Sequence, residues 1–400
     1  MTDLAFPTDF LWGAATAAHQ IEGNNVNSDW WEREHRPGGA IQEPSGDAAD
    51  SLHRYPEDIR LMSELGLTSY RFSIEWARIE PAKGRFSRAA ALHYRRMIDL
   101  CRQHGLEPVV TLHHFTNPQW VAAEGGWRNP AVVEYFQRYV EYLLPTLDGV
   151  TWVCTINEPN MLAMAHDSQG ATLDASSQPD PDPVVTENVI AAHHKARALL
   201  HRVPGIRVGW SIAGQAYHAV PGHEEAMAAY RYPREDVFLE AARDDDYIGV
   251  QAYLRTFIDD NGPVPVPEDA ATTQMGWEYF PPALENATRH AWKLTDGTPV
   301  LVTENGIATA DDSRRIDYTY DALSGLHKAM EDGICVQGYL HWSALDNYEW
   351  GSFAPTFGLI AWDPVTFERT PKPGAFWLGE VARTGRLLRP TVGAARSSLA

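Results

Sequence analysis

Two stretches of this chain each end an apolar run on a glutamate and then break the backbone. Pro299-Val300-Leu301-Val302-Thr303-Glu304-Asn305-Gly306 reads as a short buried strand, since Val300, Leu301 and Val302 form a β-favouring run of the kind covered on both faces. Trp152-Val153-Cys154-Thr155-Ile156-Asn157-Glu158-Pro159 has the same design. Asn305-Gly306 is expected to turn the chain after the first stretch, and Pro159 breaks the second. Each would place a carboxylate at the carboxyl end of a buried strand, where parallel-strand barrels do their chemistry. One such glutamate reads as readily as a solvated residue opening a loop; two of one design point to a site. Paired carboxylates are what cleavage of a glycosidic bond requires. One acid protonates the departing oxygen, and the other stays charged to attack or stabilise the anomeric carbon in an oxocarbenium-like state. The pattern does not say which glutamate takes which part.

The elements that must hold this pair form eight alternations of strand and helix. Strands are expected over residues 10–16, 69–76, 108–114, 150–156, 207–212, 247–252, 298–303 and 335–342. Helical patterns follow over about 56–65, 88–104, 131–147, 185–202, 224–242, 282–294, 313–332 and 374–383. Short apolar strands alternating with helices imply parallel strands and crossover connections. Eight units imply closure into an α/β fold of the (β/α)8 or TIM-barrel kind. An open doubly wound sheet is the alternative, but no glycine-rich phosphate loop follows the first strand. No linker divides the chain, so residues 1–385 are expected to form a single catalytic domain, with 386–400 a frayed tail. Residues 171–183 and 259–273 read as loops after strand ends, bordering the mouth of the site.

Composition sets the outer bounds. In 400 residues, a 44% hydrophobic fraction supplies a large core. With 53 acidic against 33 basic residues the formal net charge is −20, which argues against nucleic acid as a partner. The start, Met1-Thr2-Asp3-Leu4-Ala5-Phe6-Pro7, has no basic region and no long apolar run, so neither a signal peptide nor a membrane span is expected, and the default location is cytoplasmic. Cys101, Cys154 and Cys335 have no metal-type spacing and read as buried free thiols in a reducing compartment. Most of the 14 tryptophans and 16 tyrosines belong in a core, yet aromatics beside acids near strand ends also suit a sugar. Its C–H faces stack on rings, and its hydroxyls need hydrogen bonds.

Six motifs stand in order, each at a strand end. They are Phe10-Leu11-Trp12-Gly13-Ala14-Ala15-Thr16-Ala17-Ala18-His19-Gln20-Ile21-Glu22-Gly23, Tyr70-Arg71-Phe72-Ser73-Ile74-Glu75-Trp76, Thr111-Leu112-His113-His114, Thr155-Ile156-Asn157-Glu158-Pro159, Thr303-Glu304-Asn305-Gly306 and Trp342-Ser343-Ala344-Leu345-Asp346-Asn347-Tyr348-Glu349-Trp350. Together they resemble glycoside hydrolase family 1, the retaining β-glucosidases and β-galactosidases, over nearly the whole chain. The resemblance implies Glu158 as acid/base and Glu304 as nucleophile, with carboxyl groups about 5–5.5 Å apart for retention. It implies Arg71 as the cation that keeps Glu304 ionised, against a surface salt bridge as the competing reading. Tyr253 matches a tyrosine that hydrogen-bonds the nucleophile, with core packing as its competitor. Sugar recognition falls by resemblance to Gln20, His114, Asn157, Glu349 and Trp350, and Trp342 becomes a stacking platform.

The resemblance thus implies hydrolysis of a small-molecule or oligosaccharide β-glycoside, glucosides first and galactosides or fucosides beside them, with no cofactor and no metal. Family members acting on 6-phosphoglycosides tend to carry a small hydroxyl residue and a lysine where this chain has the acidic Glu349, so unphosphorylated substrates are expected. The chain departs from the family pattern at Phe115, Asn160 and Gln251-Ala252. Its leaving-group site is therefore expected to be less aromatic, or built from Trp277 or Tyr279. Transglycosylation at the same site is one alternative. A metal-dependent barrel hydrolase is another, given 16 histidines, but His113 and His114 are adjacent in a strand and point to opposite faces, and His193-His194 lie on a helix. A non-catalytic sugar-binding protein would lack one of the two carboxylates.

Overall fold

The computed structural model describes residues 4–41, 43–165 and 178–389. Eight parallel strands close a barrel: β1 (Leu11–Ala15), β2 (Ser69–Ser73), β3 (Glu107–Thr111), β4 (Trp152–Asn157), β5 (Arg207–Gly214), β6 (Ile248–Ala252), β7 (Val300–Asn305) and β8 (Val336–Trp342). They follow one another around the barrel in chain order, and β8 pairs with β1 to close it. Every residue of β4 and β7 is buried, because one side of each strand faces the barrel interior and the other lies under helices.

The outer layer holds α1 (Ser51–Leu65), α2 (Arg88–Gln103), α3 (Val132–Leu143), α4 (Pro183–Leu200), α5 (Glu224–Arg231), α6 (Val237–Ala241), α7 (Ala283–Leu294), α8 (Asp312–Glu331) and α9 (Pro373–Thr384). In α3, Val132, Phe136, Tyr139, Val140 and Leu143 recur at helical spacing and form the buried stripe. Asp182 starts α4 by accepting from the Val184 and Val185 amides at 2.8 and 3.1 Å, with Pro183 in the first turn. None of the helices among the described residues is long and apolar enough to cross a membrane.

Several boundaries move. The expected second strand stops at Ser73, and Trp76–Ile79 opens a short helix whose first turn is capped by the Glu75 carboxylate. The helix expected over 224–242 is interrupted by a wide turn at Tyr232–Asp236. The loop expected over 259–273 begins as a hairpin, Thr256–Asp259 against Gly262–Val264, which joins Tyr217–Ala219 in a small sheet. Cys101 and Cys154 are buried, but Cys335 precedes β8 and is exposed, a correction to the reading of three buried thiols. The expected frayed tail starts too early: Arg386–Leu387 pairs antiparallel with Leu4–Ala5, and the apolar Leu387 is buried. Residues 390–400 of that tail, and 171–177 of the loop expected at the mouth, lie outside the described residues.

Candidate active site

Both glutamates of the opening pattern reach one cavity of about 510 Å³ at the carboxyl ends of the strands. The strands that carry them lose regular register there. β7 shifts against β6 between Val302 and Glu304, and β4 shifts against β5 between Cys154 and Asn157. Such irregularities re-aim side chains at a rim. Glu158, just past β4, also has a left-handed backbone (φ 46°), and Pro159 then starts a short helix, Pro159–Ala165. A β-region backbone at Glu158 would carry the strand onward; the left-handed turn leaves its carboxyl at the rim.

The two carboxyl groups have different surroundings. Arg71, buried in the barrel on β2, donates from Nη1 to Glu304 Oε1 at 2.5 Å, and the Tyr253 hydroxyl donates to Oε2 at 2.7 Å. Burial lifts the Glu304 carboxyl above the usual carboxylate range, and these two donors oppose that shift. Glu158 receives no hydrogen bond on its carboxyl among the described residues. Burial, then the negative Glu304, push its carboxyl well above the usual range, with Arg71 the one opposing charge. Arg71 is neither at the surface nor in a surface salt bridge. Burial works against its charge, but Glu304 outweighs that and holds the guanidinium protonated.

The remaining expected residues gather around this pair. Arg71 Nη2 and Gln251 Nε2 both donate to Asn157 Oδ1, at 2.5 and 2.8 Å. The Asn157 amide nitrogen is therefore the group left to face His114 Nε2, at 3.3 Å. Burial drives the His114 imidazole well below its ordinary range, so it is neutral; Nε2 accepts and Nδ1 carries the proton. Gln20 donates to Asn347 Oδ1 and the Tyr348 carbonyl at 2.8 and 2.9 Å, which fixes its amide. Its Oε1, like His114 Nδ1, is buried with no partner among the described residues. Trp342 Nε1 donates to Glu349 at 3.1 Å, and Trp350 stacks between His19 and His114. One acceptor and one donor thus stand without a partner on two residues that line a cavity walled by indoles, and polar groups beside aromatic faces are what a polyhydroxylated ring requires.

Some expectations change. Burial pushes Glu349 up to about 8, so it is largely neutral below that pH, and charge repulsion alone does not exclude a phosphate. Of the two aromatics expected at the leaving-group end, Trp277 lines the cavity, whereas Tyr279 packs against Tyr318. Asn160 is a fully buried structural residue, bonded to the Ala213 and Arg234 carbonyls at 3.0 and 3.1 Å. His113 bonds Asn117 and packs on Trp127, and His193, on α4, bonds Thr155 and Asp245, so neither faces the cavity with His114. Among the described residues, one group could place three ligand atoms around a metal, Glu235, Asp236 and His290, and none of these lines this cavity.

The chain matches the model of glycosyl hydrolase family 1 over residues 2–242 and 257–386. It belongs to that family. Beta-glucosidase A of Acetivibrio thermocellus is 29% identical to it over 96% of this chain and 99% of its own length. Thermostable beta-glucosidase B of Thermobispora bispora is 31% identical over 96% and 92%. Among solved structures, beta-glycosidase BGL167 superposes with a TM-score of 0.87 at 46% identity, covering 94% of this chain and 97% of its own. A beta-glucosidase from Thermotoga maritima, solved in complex with glucoimidazole, superposes with a TM-score of 0.88 at 27% identity over 95% and 99%.

This family 1 glycoside hydrolase is a β-glycosidase, and its cavity contains residues that sequence reasoning passed over. Gln251 stands in the sequence only as part of a departure from the family pattern; in space, without lining the cavity itself, it donates to Asn157 Oδ1 and braces it. Trp30 and Arg33 come from a short helix, Asp29–Glu34, capped by Ser28 accepting from the Trp31 amide at 3.1 Å. No strand or helix is expected there, and the sequence does not show the direction in which this helix faces.

Proposed function

We propose that the enzyme hydrolyses unphosphorylated β-D-glucosides with retention, by double displacement, and that residues 1–385 act as one catalytic unit in the cytoplasm. Glu304 attacks the anomeric carbon while Glu158 protonates the leaving oxygen; Glu158 then takes a proton from water, which releases the sugar from Glu304. The observation that carries this is the asymmetry of the pair: Glu304 is gripped by Arg71 and Tyr253, whereas Glu158 has no donor among the described residues and sits beside a negative charge. An anion held by a cation suits the nucleophile, and a carboxyl kept protonated by burial and by its negative neighbour suits the acid. Once Glu304 is esterified its charge is gone, the Glu158 pKa falls, and the same group serves as base. Asn157, His114, Gln20, Glu349 and Trp350 bind the glycone hydroxyls, and Trp342 stacks on the ring. The unphosphorylated substrate is supported by Glu349 standing where members that bind a 6-phosphate tend to carry a small hydroxyl residue; the described lining holds no lysine, its cations being Arg33 and Arg128.

The test measures nitrophenol release from an aryl β-D-glucoside by the wild type and by Glu304→Ala, with and without azide. The variant should lose on the order of 10⁵-fold in rate, and azide should restore nitrophenol release while giving an α-glucosyl azide. A β-azide, or a variant at the wild-type rate, would remove Glu304 from the role of nucleophile. Faster turnover of the 6-phosphoglucoside would remove the unphosphorylated substrate.

A further inference from the structure

The cavity lining includes groups that a neutral sugar does not need. Phe115, Met161, Leu162, Met275, Trp277 and Phe357 give it an apolar wall, and two arginines, Arg33 and Arg128, stand in the same lining. The methionines are adaptable contacts for a flat apolar body. The arginines differ in their engagement. Arg128 is paired with Asp182, Nε to Oδ2 at 3.3 Å. Arg33 forms no ion pair among the described residues. Its guanidinium lies over the Trp30 ring, 5.3 Å from the centroid. The neighbouring carboxylate, Asp29, spends both oxygens on Asn117, at 2.9 Å to the backbone amide and 2.9 Å to Nδ2.

In a chain of net charge −20, Arg33 is a half-buried guanidinium in the same lining as the apolar wall; its charge acts on Asp29, but it makes no hydrogen bond or ion pair among the described residues. It serves as a ready-made acceptor site for an anion, since guanidinium–carboxylate contacts are charge-assisted, bidentate and stronger where water is thinned out. We infer that the aglycone of the natural substrate is an aromatic group bearing a carboxylate, with the ring on the apolar wall and the carboxylate on Arg33. This rests on the glucosidase reading above and adds the class of leaving group. Arg33 acts here on specificity; it touches no reacting atom.

The experiment compares two aryl β-D-glucosides, 4-carboxyphenyl and its neutral methyl ester, with the wild type, Arg33→Gln and Arg33→Lys. Each enzyme's own kcat/KM on the ester is the denominator, so differences in leaving group and in folded fraction cancel. The carboxylate-to-ester ratio should fall about ten-fold in Arg33→Gln and partly recover in Arg33→Lys, which restores a charge without the planar fork. In the wild type the ratio should also fall as salt is raised, since the contact is partly exposed. Equal ratios in wild type and Arg33→Gln would overturn the inference while leaving the glucosidase reading intact. Cleavage of neither glucoside would overturn both. If Arg33→Gln instead lowered turnover of a nitrophenyl 6-phosphoglucoside, the cation would serve the sugar, and the inference would fall.

Discussion

Arg71 does two jobs with two nitrogens. Nη1 holds Glu304, and Nη2 holds the Asn157 carbonyl, so one buried cation sets both the charge of one group and the orientation of the other. Replacing it with an apolar residue of similar length leaves a buried carboxylate without its cation and should cost about 3–5 kcal/mol of stability. It should also change the pH profile. Glu304 must be ionised to attack, so activity is lost as pH falls through its pKa. Glu158 must be protonated, so activity is lost as pH rises through its pKa. Arg71 lowers both, but it contacts Glu304 directly, so its removal lifts the Glu304 pKa more. Arg71→Met should therefore show a narrower bell whose acid limb has moved to higher pH, read from kcat/KM between acid and alkaline buffers. An unmoved acid limb in a folded variant would detach Arg71 from Glu304's ionisation.

At the scale of elements, the ends of β7 and β8 approach each other so closely that only glycine fits between them. A Cβ on Gly306 would lie 2.1 Å from the Trp342 carbonyl oxygen. Sequence reading assigned Gly306 to a turn; its φ is not in the left-handed region, and the requirement is the close approach of a neighbouring backbone. Gly306→Ala should push apart the strand ends that present Glu304 and Trp342. The expected result is a loss of about 1–3 kcal/mol in stability with a higher KM for the glucoside; urea unfolding and steady-state kinetics measure both. A variant unchanged in both would show that the strand ends yield without disturbing the site. The same contrast runs through the whole reading. The barrel was legible because strands covered on both faces appear as apolar runs, and because a carboxylate ending such a run is conspicuous. The division of labour between Glu158 and Glu304 was not legible from the pattern, since it depends on Arg71, distant in sequence, and on a hydroxyl from Tyr253. Arg33 and Trp30 were missed for a related reason: a helix of six residues, Asp29–Glu34, is too short to show a periodicity that would tell which way it faces.

The whole molecule is chemically active at one end of its barrel and closed at the other. Before β1 enters, Phe6 packs on Phe10 at 5.0 Å and on Trp12 at 4.9 Å, and its amide bonds the Gly385 carbonyl at 2.8 Å. Leu4–Ala5 then pairs with Arg386–Leu387, which follows α9, so the two ends of the chain close the amino-terminal face of the barrel together. The separation follows from parallel strands: all eight carboxyl ends lie at the face of the barrel that holds the cavity, and what precedes β1 must lie at the opposite face. Removing residues 386–400 would expose the surface now covered by Leu387, which is 1% exposed, and would leave Leu4–Ala5 without its strand partner. Burial of one leucine side chain is worth about 1.5–3 kcal/mol, so the truncated enzyme should unfold at lower urea with a loss near that size. Its KM for an aryl glucoside should match the full chain's below the transition, because none of the described residues removed, 386–389, lines the cavity. A raised KM with an unchanged unfolding midpoint would mean that the closed face communicates with the cavity, contrary to a barrel that keeps stability at one end and chemistry at the other.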